Sequence, residues 1–106
     1  MVKIETKNDI DVFRIKYNQT KEWEQWVLLT SDEHFDSKDC DRKLLKKHHE
    51  QAKERNAIIL KLGDIFDCMG GAYDPRSGKG DLRPEYNVKN YFDVIVKDAA
   101  KFYEPY

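Results

Sequence analysis

Two short apolar runs, Trp26-Val27-Leu28-Leu29-Thr30 and Ala57-Ile58-Ile59-Leu60-Lys61-Leu62, flank a single stretch of helical character, and this constrains the fold more than anything else in the chain. Nearly continuous apolar runs of this length suit strands covered on both faces. Between them, residues 41–55 read as a helix. Asp39 and Asp41 favour its start, Lys53 and Arg55 its end, and Leu44, Leu45, His48 and Ala52 form one stripe. A strand–helix–strand unit closes with a right-handed crossover and parallel strands. The carboxyl ends of both strands then lie on one edge of the sheet, where open α/β sheets bind ligands.

The remaining elements are added around that unit. Residues 2–6 and 11–17 read as a hairpin turning at Asn8-Asp9, its period-two alternation implying one buried face. Residues 68–86 hold four of the five glycines and two of the three prolines and read as a long loop. Residues 87–103 carry Val88, Tyr91, Phe92, Ile95, Ala99 and Phe102 at helical steps. At 106 residues this is one α/β domain, with residues 1–22 as a hairpin extension and 23–106 as the core. Lysine and arginine number 19 against 20 aspartates and glutamates, so a general polyanion-binding role is disfavoured and nucleic acid enters only as a substrate. No apolar run is long enough to span a bilayer, and the N-terminus lacks the apolar core of an export signal. The cysteines, Cys40 and Cys68, have no metal-ribbon spacing, so free thiols in the cytoplasm are expected.

Each apolar strand ends in an acidic cluster. The first gives Asp32-Glu33-His34, the second Gly63-Asp64-Ile65-Phe66-Asp67. If strand geometry persists past Ser31, Asp32 and His34 point the same way. With Asp64 from the neighbouring strand they make a mixed oxygen and nitrogen set that suits manganese, iron or zinc. Gly63 permits a sharp exit and close backbone approach. Among the other polar residues, Asp36 reads as a turn former and His48 as a structural residue on the helix stripe. His49 reads as exposed, Trp23 and Trp26 as packing residues, and Arg42 and Arg76 as surface charges able to meet a phosphate.

The two blocks, each after its apolar strand and in this order, resemble the first two signatures of the calcineurin-like metallophosphoesterase superfamily. The run Cys40-Asp41-Arg42-Lys43-Leu44-Leu45-Lys46, the Asp74-Pro75-Arg76 loop and the helix at 87–103 are similar to phage and prophage members. The resemblance covers residues 25–106 and implies the N-terminal portion of a metallophosphoesterase sandwich. It implies Asp32 and His34 as ligands of a first metal, and Asp64 as the catalytic carboxylate bridging two metals. Asp67 is implied as a supporting residue and Arg42 as a supporting or substrate-contacting one. The reaction implied is hydrolysis of a phosphomonoester or phosphodiester by metal-activated water.

The family's later blocks, Gly-Asn-His-Asp/Glu, a lone His and Gly-His-x-His, do not occur in residues 65–106. The expectation is therefore the N-terminal part of a longer enzyme, inactive alone, with self-association or a missing C-terminal part completing it. The alternative is a non-catalytic metal-binding or protein-interaction fragment on the same scaffold. A phosphoacceptor domain, which also gathers aspartates at strand ends, fits less well because His34 stands beside Asp32. Two helices and a hairpin are too few to cover both strands, so exposed apolar surface is expected.

Overall fold

The computed structural model describes residues 2–67 and 82–106, so Cys68, Arg76 and most of the expected loop lie outside the described residues. The described residues are mixed α/β, with one antiparallel and one parallel two-stranded sheet and two α-helices. None of these helices is long and apolar enough to cross a membrane.

The hairpin pairs β1 (Val2–Lys7) with β2 (Ile10–Ile15), in a register running from Val2↔Ile15 to Lys7↔Ile10. Asn8 and Asp9 both take positive φ, 52° and 60°. Two left-handed residues in a two-residue loop match the right-handed twist of the flanking strands, and Asn and Asp tolerate that conformation best after glycine. The Glu5–Arg14 ion pair (3.1 Å) and the Thr6–Asp11 hydrogen bond (2.6 Å) tie the strands across. The burial expected from the alternation is not found. Val2, Ile4, Phe13 and Ile15 share one face by register, yet Ile4 and Phe13 are exposed. Period two is a property of the strand itself, whereas burial needs a second layer to cover it.

The second sheet pairs β3 (Val27–Thr30) with β4 (Ile58–Lys61), parallel and in register from Val27↔Ile58 to Thr30↔Lys61. Between them runs α1 (Arg42–Glu54), as the periodicity predicts. The Asp41 side chain accepts from the Leu44 N–H at 2.9 Å and caps the helix start. The end is closed by Asn56 at φ 48°, with Asn56 N–H donating to Lys53 and Ala57 N–H to Ala52. Those two bonds form a Schellman motif and turn the chain straight into β4.

Two expectations need correcting. β3 is not covered on both faces: Val27 and Leu29 are exposed while Leu28 and Thr30 are partly buried. The buried face of α1 also lies about one residue round from the stripe read in the sequence. His49 and Ala52 are buried beside the partly buried Leu45, whereas Leu44 and His48 are exposed.

A 3₁₀ turn at Pro84–Tyr86 precedes α2 (Tyr91–Tyr103), which starts four residues later than expected. Tyr91, Ile95 and Ala99 form its buried stripe, and the first two pack with Leu82 and Tyr86. Phe35 is fully buried between this helix and α1. Its ring lies 5.2 Å from Phe102, and the Arg42 guanidinium stacks on it at 3.8 Å. Trp23 and Trp26 are both exposed, Trp23 stacking on Tyr17 and Trp26 lying beneath Arg55 at the end of α1.

Candidate functional site

The parallel ladder continues beyond the strands. Leu62 N–H donates to Thr30, then His34 N–H to the Asp64 carbonyl (3.1 Å) and Phe35 N–H to the Ile65 carbonyl (2.7 Å). Asp32-Glu33-His34 and Gly63-Asp64 are therefore laid side by side on one edge, as the crossover requires. The local conformation is not extended. Asp32, His34 and Asp64 take φ values of 53°, 46° and 52°, and Gly63 takes 110°. Left-handed conformation is costly for residues carrying a Cβ, and runs of it gather where a chain is over-determined for a purpose. Asp32 and His34 face each other through these turns and not through strand alternation, which stops at Thr30. Gly63 provides the sharp exit at φ 110°, and the space where its Cβ would stand is open, with nothing within 4 Å.

His34 sits between two carboxylates. Its Nδ1 is 3.2 Å from Asp67 Oδ1 and its Nε2 is 3.9 Å from Asp32 Oδ1. The 3.2 Å contact to Asp67 is within hydrogen-bond distance and orients the ring, which leaves Nε2 on the side of Asp32, beyond hydrogen-bond distance at 3.9 Å. That is the orientation a carboxylate imposes on an imidazole that binds a cation through its other nitrogen. Asp64 is exposed and joins His34 through its carbonyl. Among the described residues no three His, Cys, Asp or Glu side chains close into a metal-holding group. The three sequence-predicted ligands are thus neighbours along the strand ends, with the Asp32 and His34 side chains facing each other and Asp64 joined through its backbone. An open groove of about 300 Å³ adjoins Asp32 alone of the three, running between β3 and the start of α1 along Leu28, Thr30, Cys40, Asp41 and Leu44.

Three polar residues beneath the edge, Glu33, His49 and Asp36, carry more of its structure than the sequence suggested. Glu33 points inward and is buried. Its carboxylate accepts from Lys61 Nζ (2.8 Å) and Tyr103 OH (2.8 Å). Lys61 Nζ also meets His49 Nε2 at 3.1 Å, and His49 Nδ1 meets the Leu45 carbonyl at 2.8 Å. His49, expected to be exposed, is 1% exposed. Burial would raise the Glu33 pKa, but the bonds from Lys61 and Tyr103 and the Lys61 charge outweigh it and hold it below the ordinary carboxylate value. The same contact, on top of burial, pushes the Tyr103 phenol well above its ordinary value. Asp36, read as a turn former, is fully buried and accepts the Asp67 N–H at 2.5 Å.

Arg42 is turned into the fold. It donates from Nε and Nη2 to the Phe35 carbonyl (3.2 and 2.8 Å), meets the Tyr86 hydroxyl, and pairs with Asp98 at 3.5 Å. Burial, with the hydrogen bond to Asp98, pushes the Tyr86 pKa up to about 12, so the hydroxyl stays a donor to that carboxylate. These contacts make Arg42 a brace between the first loop and α2, turned in from the surface. Cys40 is a free thiol whose pKa burial raises, so it is not poised as a nucleophile. Compared with protein families, curated proteins and solved structures, the chain shows no match.

Proposed function

We propose that this chain carries the first half of a metallophosphoesterase centre, in which Asp32, His34 and Asp64 would hold a divalent cation, manganese, iron or zinc. The observation that supports this reading is the placement of His34. Its backbone is tied to Asp64, one ring nitrogen is on Asp67, and the other is turned to Asp32. The donor chemistry fits such an ion, since one imidazole with two carboxylates is a borderline-hard set. A divalent cation there supplies Lewis acidity that activates water and offsets phosphate charge. The chain's own residues do the rest. Asp67 fixes the imidazole, Gly63 turns Asp64 out of the strand, and the groove beside Asp32 gives a phosphate ester room. The second-metal ligands of the resembled family have no counterpart in residues 65–106, so a partner segment or second chain would have to supply them for turnover. A cytoplasmic enzyme of phage type belongs to the same reading.

A second reading has its own support. The Asp32, His34 and Asp64 side chains do not close into a ligand group, and much apolar surface is exposed, which favours a non-catalytic binding fragment on this scaffold. Titration with manganese and zinc, followed calorimetrically, separates the two, with an aryl phosphodiester as the activity probe. The first reading expects one site, lost in Asp64→Asn and His34→Ala. Equal uptake by the wild type and both variants would sink it. Uptake at that site without hydrolysis, even at high protein concentration, leaves the binding fragment.

A further inference from the structure

Asp36 lies two residues past the Asp-x-His block, and neither the ligand set nor the braces described above make use of its carboxylate. It is fully buried, and its Oδ1 accepts the backbone N–H of Asp67 at 2.5 Å, across from the other strand end. An acceptor held this close to an amide and away from solvent makes a strong hydrogen bond. Asp67 in turn receives His34 Nδ1 at 3.2 Å. The backbone around Asp36 is held from a third side. Its carbonyl accepts from Arg83 N–H at 3.0 Å, and the next residue, Ser37, bridges to Leu82. Asp36 is thus the point where the first loop, the second loop and the segment entering the 3₁₀ turn are pinned together.

We propose that Asp36 is a positioning residue of the strand-end site: its buried carboxylate fixes the backbone of Asp67 and, through the Asp67 side chain, sets which nitrogen of His34 faces Asp32. The chain of contacts runs Asp36, Asp67, His34, and each step is needed. Asp67 follows a left-handed Asp64 in a segment with no regular secondary structure, and among the described residues it is the Asp36 carboxylate that holds its backbone N–H. A carboxylate whose backbone is free to rotate would not hold one imidazole tautomer. Groups that orient a ligand this way typically change metal affinity 10- to 100-fold when removed.

The proposal rests on the cation reading for its affinity consequence but not for its structural one, so the two can fail separately. The structural arm uses the chain alone. Amide hydrogen exchange on the wild type should show Asp67 N–H as strongly protected and shifted downfield, and free exchange there overturns the proposal. In Asp36→Asn, which keeps an oxygen acceptor, ¹⁵N spectra of the His34 ring at one pH where it is neutral should retain the wild-type tautomer. In Asp36→Ala the two ring-nitrogen signals should move toward averaging. An Asp36→Ala chain with circular dichroism like the wild type and unchanged His34 signals also overturns it. If Asp36→Ala does not fold, the Asp67 exchange result and the Asp36→Asn tautomer decide, and a changed tautomer in Asp36→Asn with the Asp67 amide still protected counts against it. In the second arm manganese is the probe. Affinity should fall about tenfold or more in Asp36→Ala and be largely kept in Asp36→Asn. No manganese binding by the wild type, with the tautomer effect present, refutes the cation reading and leaves the positioning role standing.

Discussion

The Lys61 ammonium lies 2.8 Å from the Glu33 carboxylate, joining the last residue of β4 to the middle of the Asp-x-His block. Parallel register makes this contact. Lys61 is opposite Thr30, so its long side chain reaches the loop three residues on, passing over the Tyr103 ring at 4.0 Å. The Glu33 side chain is 3% exposed and that of Lys61 25%, so removing the lysine leaves a carboxylate stranded in a poorly hydrated place. Lys61→Met should cost about 3 kcal/mol in urea unfolding, while Lys61→Met with Glu33→Gln should recover a large part of that loss. A double variant no more stable than Lys61→Met would show that the pair is not the source of the cost.

The same carboxylate predicts how stability depends on acidity. Its folded pKa is depressed below the ordinary glutamate value. A depressed carboxylate contributes stability that is present above its unfolded pKa and lost as pH falls through the folded one. The melting temperature should therefore drop as pH goes below about 4.5, and Glu33→Gln should flatten part of that limb. Melting curves by circular dichroism across an acid series check it, and coincident acid limbs for both proteins would rule out Glu33 as the group responsible.

Arg42 makes a prediction that separates geometry from charge. Its guanidinium bonds the Phe35 carbonyl from two nitrogens and stacks on the Phe35 ring, while touching Tyr86 and Asp98. A lysine keeps the charge but can reproduce neither the fork nor the flat stack. Arg42→Lys should destabilise by about 1–3 kcal/mol, close to the cost of Arg42→Ala. Inorganic phosphate affinity, measured alongside, should change little in the folded part of either variant. If phosphate binding collapses while the melting temperature holds, Arg42 contacts substrate and is no brace.

Much of the scaffold was legible in the sequence because it depends on local signals. The hairpin turn at Asn8-Asp9, the Asp41 cap and the two parallel strands each answer to the chemistry of a few adjacent residues. The burial of the elements was not legible, because it depends on what packs from elsewhere. Leu44 with His48 and Leu45 with His49 are equally apolar stripes on α1. The second faces inward because Glu33, Lys61 and Tyr103 offer His49 partners from distant parts of the chain. Asn56 carried a usable signal, since asparagine just past a basic helix end often takes the left-handed cap position. Asp36 carried none. A buried carboxylate that accepts a backbone amide looks in sequence like any other loop aspartate. At the site, the Asp-x-His and Gly-Asp blocks correctly located the edge, but the left-handed turns that build it have no marker apart from Gly63.

The uncovered apolar faces lead to a last prediction. The hairpin has one apolar face by register, with Ile4 60% exposed, and β3 presents Leu29 at 61%. Among the described residues each strand has a single partner, so every sheet leaves open edges. An apolar face beside unpaired backbone donors and acceptors is a template for association. A two-stranded sheet standing alone is marginal in water, which raises the gain from covering it. Sedimentation at increasing concentration should show self-association, and Ile4→Lys with Leu29→Lys should shift the chain toward monomer without lowering its helix content. Both substitutions are at exposed positions, so their cost to the fold should stay within about 0.5 kcal/mol. A chain that sediments as a monomer at every concentration would mean that these faces do not drive association between copies.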